Sequence, residues 1–107
     1  VKQVDYIAEL QAVILNLHGA IAEYVETVPV SEEFQGQTVW RGEVEVFELQ
    51  DHPKAKRAYA WGYTTDDDDR RYVTVLEVPP VTSPETAVKA SIVRDYREQQ
   101  KSHKETR

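Results

Sequence analysis

The 107-residue chain contains no cysteine and no methionine, only four glycines and five prolines, and no apolar run long enough to cross a bilayer. The missing cysteine removes disulfide frameworks, thiolate nucleophiles and cysteine-ligated zinc together. With so little Gly and Pro the chain is neither low-complexity nor collagen-like. The longest nearly apolar stretch, Ala12 to Ala22, is interrupted by Asn16, His18 and Gly19 and falls short of the roughly 20 residues of a spanning helix. The first residues carry Asp5 and Glu9 in place of a basic segment, so no secretory signal is expected and the expected location is cytoplasmic. No G-x-G-x-x-G, P-loop, nucleophile elbow or H-E-x-x-H occurs. No motif therefore demands a particular chemistry, and no catalytic residue, cofactor or metal is expected.

What is present fits one domain of the usual size. The chain holds 13 Lys+Arg against 19 Asp+Glu, a net charge of -6, with 40% hydrophobic residues. The charge is uneven: residues 1–53 carry two bases and ten acids, net -8, whereas residues 54–107 carry eleven bases and nine acids, net +2. Because the bases are dispersed and interleaved with Asp66 to Asp69, a solvated surface accounts for this better than a nucleic-acid face.

From Val4 to Val28 the apolar residues Ile7, Leu10, Ile14, Leu17, Ile21, Tyr24 and Val28 step by three and four, which predicts one helix ended by Pro29. A second stripe of mostly small residues, Ala8, Ala12, Leu15, Gly19 and Ala22, lies away from the first. Residues 29–37 read as a loop. Three strands follow by period-two alternation and turn signals: Thr38 to Leu49, Lys56 to Thr65, and Arg70 to Val78. With Leu49 set against Lys56 and Thr65 against Arg70, one face collects Trp40, Val44, Val46, Tyr59, Trp61, Tyr63, Tyr72, Leu76 and Val78 as the core. The other face, with Arg41, Glu43, Glu45, Phe47, Ala58, Ala60, Gly62, Arg71, Val73 and Val75, is expected to be largely wet.

A second helix starts at Thr82-Ser83-Pro84-Glu85, where a hydroxyl cap, a proline and an acid coincide. Its buried stripe is expected at Val88, Ile92 and Tyr96, with Ala87 and Val93 beside it. The expected fold is thus α+β: a two-layer α-β-β-β-α domain over residues 1–96, a three-stranded antiparallel meander with both helices on one face. Residues 97–107, without an apolar side chain, form a polar helix extension or disordered tail.

The candidates for chemistry are few. The run Asp66 to Asp69 lacks the glycine and distal glutamate of a calcium loop and reads as an acidic turn. His18, His52 and His103 share no metal-ligand spacing, and Asp51-His52 has no nucleophile to serve. The element order matches the topology of double-stranded RNA-binding domains, but their Lys-rich start to the second helix is replaced here by Thr82-Ser83-Pro84-Glu85. A nucleic-acid reading would use Arg57, Tyr59, Trp61, Tyr63, Arg70 and Arg71 as stacking and phosphate contacts, against an unfavourable total charge. The first expectation is instead a non-enzymatic interaction module, an accessory or regulatory homodimer paired through Ala8, Ala12, Leu15, Gly19 and Ala22. A third reading places a small-ligand or enzyme site in a dimer cleft. The small strip Ala58, Ala60, Gly62, Val73 and Val75 is the fallback interface.

Overall fold

A computed structural model describes the backbone of residues 2–105 and the side chains of residues 5–97. The elements run α1 (Lys2–His18), β1 (Ile21–Phe34), β2 (Gln37–Gln50), β3 (Arg57–Thr64), β4 (Arg70–Leu76) and α2 (Pro84–Glu105). All ladders are antiparallel and the sheet order is β1-β2-β3-β4. The α+β class holds, with four strands rather than three. The side chains of residues 98–107, that of His103 among them, lie outside the described residues.

The extra strand comes from the segment read as helix. Gly19 takes φ +67° and its N–H donates to the Leu15 carbonyl at 2.9 Å, a left-handed helix stop that glycine adopts without a Cβ penalty. Beyond it Ile21, Val25, Thr27, Val28 and Val30 are β-branched and favour a strand. Pro29 therefore does not end a helix. It lies within β1 opposite Glu43, on an edge strand where its missing N–H costs no ladder bond. Residues 29–37 are likewise not a loop: β1 turns into β2 through Gln35 and Gly36, both at positive φ, as a two-residue hairpin requires.

The first expected register is the observed one, with Val46 beside Tyr59. The second is off by one: Arg70 pairs with Thr64, and Trp61 sits opposite Val73. Thr65 is drawn into the loop, its N–H donating to Asp69 O at 2.9 Å while Asp68 N donates to Thr65 O at 3.0 Å. A one-residue slip moves every β4 side chain to the other face. Tyr72 and Leu76 thus leave the expected core face, Val73 and Val75 join it, and Tyr63 and Val78 are exposed.

The helices consequently do not share a face. α2 packs on Val44, Val46, Tyr59 and Trp61 through Ala87 and Val88. α1 packs on Phe47, Ala58 and Ala60 through Leu10 and Ile14, and the two alanines give it a shallow bed. The result is a three-layer arrangement, α1 over the sheet over α2. Phe47, Ala58 and Ala60, expected to be wet, are fully buried, so Ala58 and Ala60 offer no fallback interface.

The start of α2 follows the sequence reading. Ser83 Oγ accepts from Thr86 N at 3.2 Å while Thr86 Oγ1 accepts from Ser83 N at 2.9 Å, a reciprocal cap with threonine in the usual glutamate position. On its inner side Ala87, Val88 and Ser91 are buried, while Val93 and Tyr96 are exposed, so the apolar contact is shorter than expected. Among the described residues no helix is long and apolar enough to cross a membrane.

Candidate functional site

The ladder between β2 and β3 covers only Glu45–Glu48 against Arg57–Ala60. β2 then continues to Gln37 bonded to β1 alone, and β3 continues to Thr64 bonded to β4 alone. The strands fork. Continuing the register would seat Gly62 opposite Glu43, but the Gly62 N–H instead donates to the Tyr6 hydroxyl of α1 at 2.6 Å. A Cβ at position 62 would lie 3.2 Å from the Tyr6 ring and 3.3 Å from the Tyr72 ring, so glycine makes room for both. Burial raises the pKa of the Tyr6 phenol, partly offset by the Gly62 bond, and the Arg70 guanidinium stacks 5.5 Å from its ring centre.

The fork opens a cleft of about 400 Å³, lined by Trp40, Trp61, Tyr63, Ser91 and Asp95 together with the β2 segment Arg41 to Glu43. The Trp40 and Trp61 rings meet edge to face, centroids 5.4 Å apart. Position 42 is glycine where a Cβ would meet the Trp40 ring at 3.1 Å, which lets that ring fold back along its own strand. Sequence reasoning placed Trp40, Trp61 and Tyr63 in the core, and Trp61 and Tyr63 also among the contacts of the nucleic-acid reading, but not around a cleft. The available signal was the pair Gly42 and Gly62, each beside a large ring in strands that otherwise alternate bulky side chains.

The residues of the nucleic-acid reading are scattered. Tyr59 and Trp61 are 2% and 4% exposed beneath α2, so neither offers a face to a base. Tyr59 also donates to Glu77 at 2.6 Å, and burial raises its pKa, reinforced by that carboxylate. Arg57 pairs with Glu48 at 3.8 Å, Arg70 with Glu9 at 3.5 Å and Arg71 with Asp69 at 3.1 Å. Of the three rings only Tyr63, half exposed, keeps a free face.

The interface residues divide differently. Ala8, Ala12, Leu15 and Gly19 are exposed along the outer side and end of α1. Ala22 is buried in β1 under α1, because the helix stops before reaching it. Around the same corner Leu17 and Ile21 are 65% and 59% exposed.

The titratable candidates have structural duties. His52 Nδ1 accepts from the backbone N–H of Lys54 and Ala55 at 3.1 and 3.0 Å, which shapes the β2–β3 loop and turns Asp51-His52 away from acid–base work. His18 Nε2 meets Thr74 Oγ1 at 2.7 Å, and burial, with the nearby His52 charge, lowers its pKa. Asp66 to Asp69 are exposed in their loop. Among the described residues no group of three His, Asp or Glu side chains is placed to hold a metal ion.

One acid is buried that sequence reasoning put on the wet face. Glu45, 2% exposed, lies on the α1 side, where Thr27 Oγ1 donates to it and the Tyr24 hydroxyl donates to Thr27. Burial raises its pKa, partly offset by the Thr27 bond. No protein-family model, curated protein or solved structure matches the chain.

Proposed function

We propose that this chain is a self-associating interaction module, a non-enzymatic accessory or regulatory homodimer that pairs through the outer side of α1. The observation that carries the reading is the outer stripe of α1, where Leu15, 49% exposed, lies beside the exposed Ala8 and Ala12. Fully burying a leucine stabilises by about 1.5–3 kcal/mol, so covering the exposed half of Leu15 recovers roughly half of that, and an exposed apolar stripe marks an interaction surface. The neighbouring Ala8 and Ala12 are small and exposed, so a second backbone can approach closely. A two-fold axis through α1 sets each copy's stripe against the same stripe of its partner, the commonest form of assembly. Ala22 takes no part in this interface.

Light scattering after size exclusion tests the reading. The wild-type chain should run at twice its 12.3 kDa mass at micromolar concentration, and Leu15→Glu should run at the single mass with the same circular dichroism. A monomeric wild type removes the proposal, and a dimer indifferent to Leu15→Glu removes α1 as its interface.

A further inference from the structure

We propose that the cleft at the β2–β3 fork binds an extended polypeptide segment bearing a lysine or arginine, which adds as a strand along the free edge of β2. The site lies across the sheet from the outer side of α1 and stands whether or not the chain pairs.

The backbone supplies the first half of the case. Leu49 N donates to Lys56 O at 2.8 Å, which fixes the parity: odd-numbered residues of β2 turn their N–H and C=O toward β3. Arg41 and Glu43 therefore direct theirs into the cleft, where the ladder has ended. The even-numbered residues Trp40 and Gly42 keep β2 bonded to β1 through Glu32 and Val30, so the free edge is held straight without help from β3. On the far side Tyr6 has already taken the Gly62 N–H. An entering strand finds the β2 edge offering donors and acceptors, whereas the Gly62 N–H opposite is already taken. This is the arrangement of recognition by strand addition, in which main-chain bonds supply affinity and pockets for alternate side chains supply specificity.

The side chains supply the second half. On the α2 side the cleft presents Trp40, Tyr63 and Asp95, with the buried Trp61 beneath them as its floor. Aromatic walls accept the aliphatic stem and cationic head of Lys or Arg, and a carboxylate beside them completes the match. Asp95 takes part in none of the ion pairs of the described residues. Arg41 projects its side chain to the opposite side of the sheet by strand alternation, so it does not oppose a cation in the aromatic pocket. The net charge of -6 steers a basic segment toward the chain. The cleft volume of about 400 Å³ is at the low end of the roughly 300–1,000 Å³ of ligand sites, suited to one or two side chains of a passing strand.

The probe is a set of capped hexapeptides alternating threonine with one variable residue, Lys, Arg, Leu or Glu, titrated to millimolar concentration. Tryptophan fluorescence reports the pocket and amide hydrogen exchange reports the edge. The Lys and Arg peptides should bind at least ten-fold tighter than the Leu and Glu peptides and slow exchange at Arg41 and Glu43. Methylating alternate peptide nitrogens on the edge-facing side should abolish that protection with the protein unaltered. Asp95→Asn should weaken the Lys and Arg peptides about ten-fold and leave the Leu peptide unchanged. Failure of every peptide to protect Arg41 and Glu43 overturns the strand-addition site. Equal binding of Glu and Lys peptides overturns its charge preference, and protection of those amides that instead grows with protein concentration alone assigns the cleft to a second copy and also overturns the proposal.

Discussion

The Tyr6 hydroxyl of α1 stands 2.6 Å from the Gly62 backbone nitrogen of β3, in the position the sheet register would give to the carbonyl of Glu43. A side chain from one layer thus terminates a ladder in the next. The β2–β3 ladder ends at Glu45 and Ala60, short of that position.

Tyr6→Phe keeps the ring, its contact with Arg70 and the packing over Gly62, and removes only the acceptor. The expected loss is about 1 kcal/mol, the usual net value of one hydrogen bond. It should appear as a lower denaturation midpoint with unchanged denaturant slope, and as faster exchange of the Gly62 amide. Unchanged exchange at Gly62 would show that the hydroxyl does not hold the fork.

Glu45→Gln should stabilise the chain at neutral pH. Burial holds the Glu45 carboxyl above its ordinary value of 4.5, so the folded chain binds that proton more tightly than the unfolded one. Stability from this group is then greatest below 4.5 and is lost as pH rises through the raised value. The amide carries no charge, and its oxygen can accept the same Thr27 bond. The gain should be largest at neutral pH and shrink toward zero as the solution is acidified. Thermal melts of both proteins from pH 4 to 8 measure it, and parallel curves across that range would refute the assignment.

Phe47→Ala should cost about 3–5 kcal/mol, the range for emptying a buried aromatic site, because Phe47 is fully buried under α1 and Tyr24 packs edge-on to it at 6.0 Å. A sheet with both helices on its other face would leave this residue wet and the substitution nearly silent. Chemical denaturation separates the two outcomes.

Much of the architecture was legible along the chain, and the misses have local causes. β2, β3, β4 and the cap of α2 announced themselves by alternation and by Thr82-Ser83-Pro84-Glu85, since both signals act within a few residues. The helical spacing that ran from Ile7 to Val28 was real only as far as Leu17, because steps of three and four do not separate a helix from a strand containing a bulge such as that between Tyr24 and Glu26. Gly19 and the β-branched residues after it carried the information that decided the matter. The placement of the helices turned on a single residue: whether Thr65 belongs to β3 or to the loop sets which face receives Tyr72 and Leu76. The hydrogen bonds of Thr65 to Asp68 and Asp69 settle it, and no periodicity encodes them. The cleft was hidden for a different reason, since it arises where pairing stops, and a pattern of apolar residues records only where burial occurs.

The strictly sequential strand order has a kinetic consequence. Each strand hydrogen-bonds only to the one before and the one after it in the chain, and the longest ladder closes over the two residues Gln35 and Gly36. Ordering can spread outward from tight reversals without first bringing remote segments together, so little loop-closure entropy precedes the first stable contacts. A sheet built this way should reach its native pairing faster than one of equal size whose central strands come from opposite ends of the sequence.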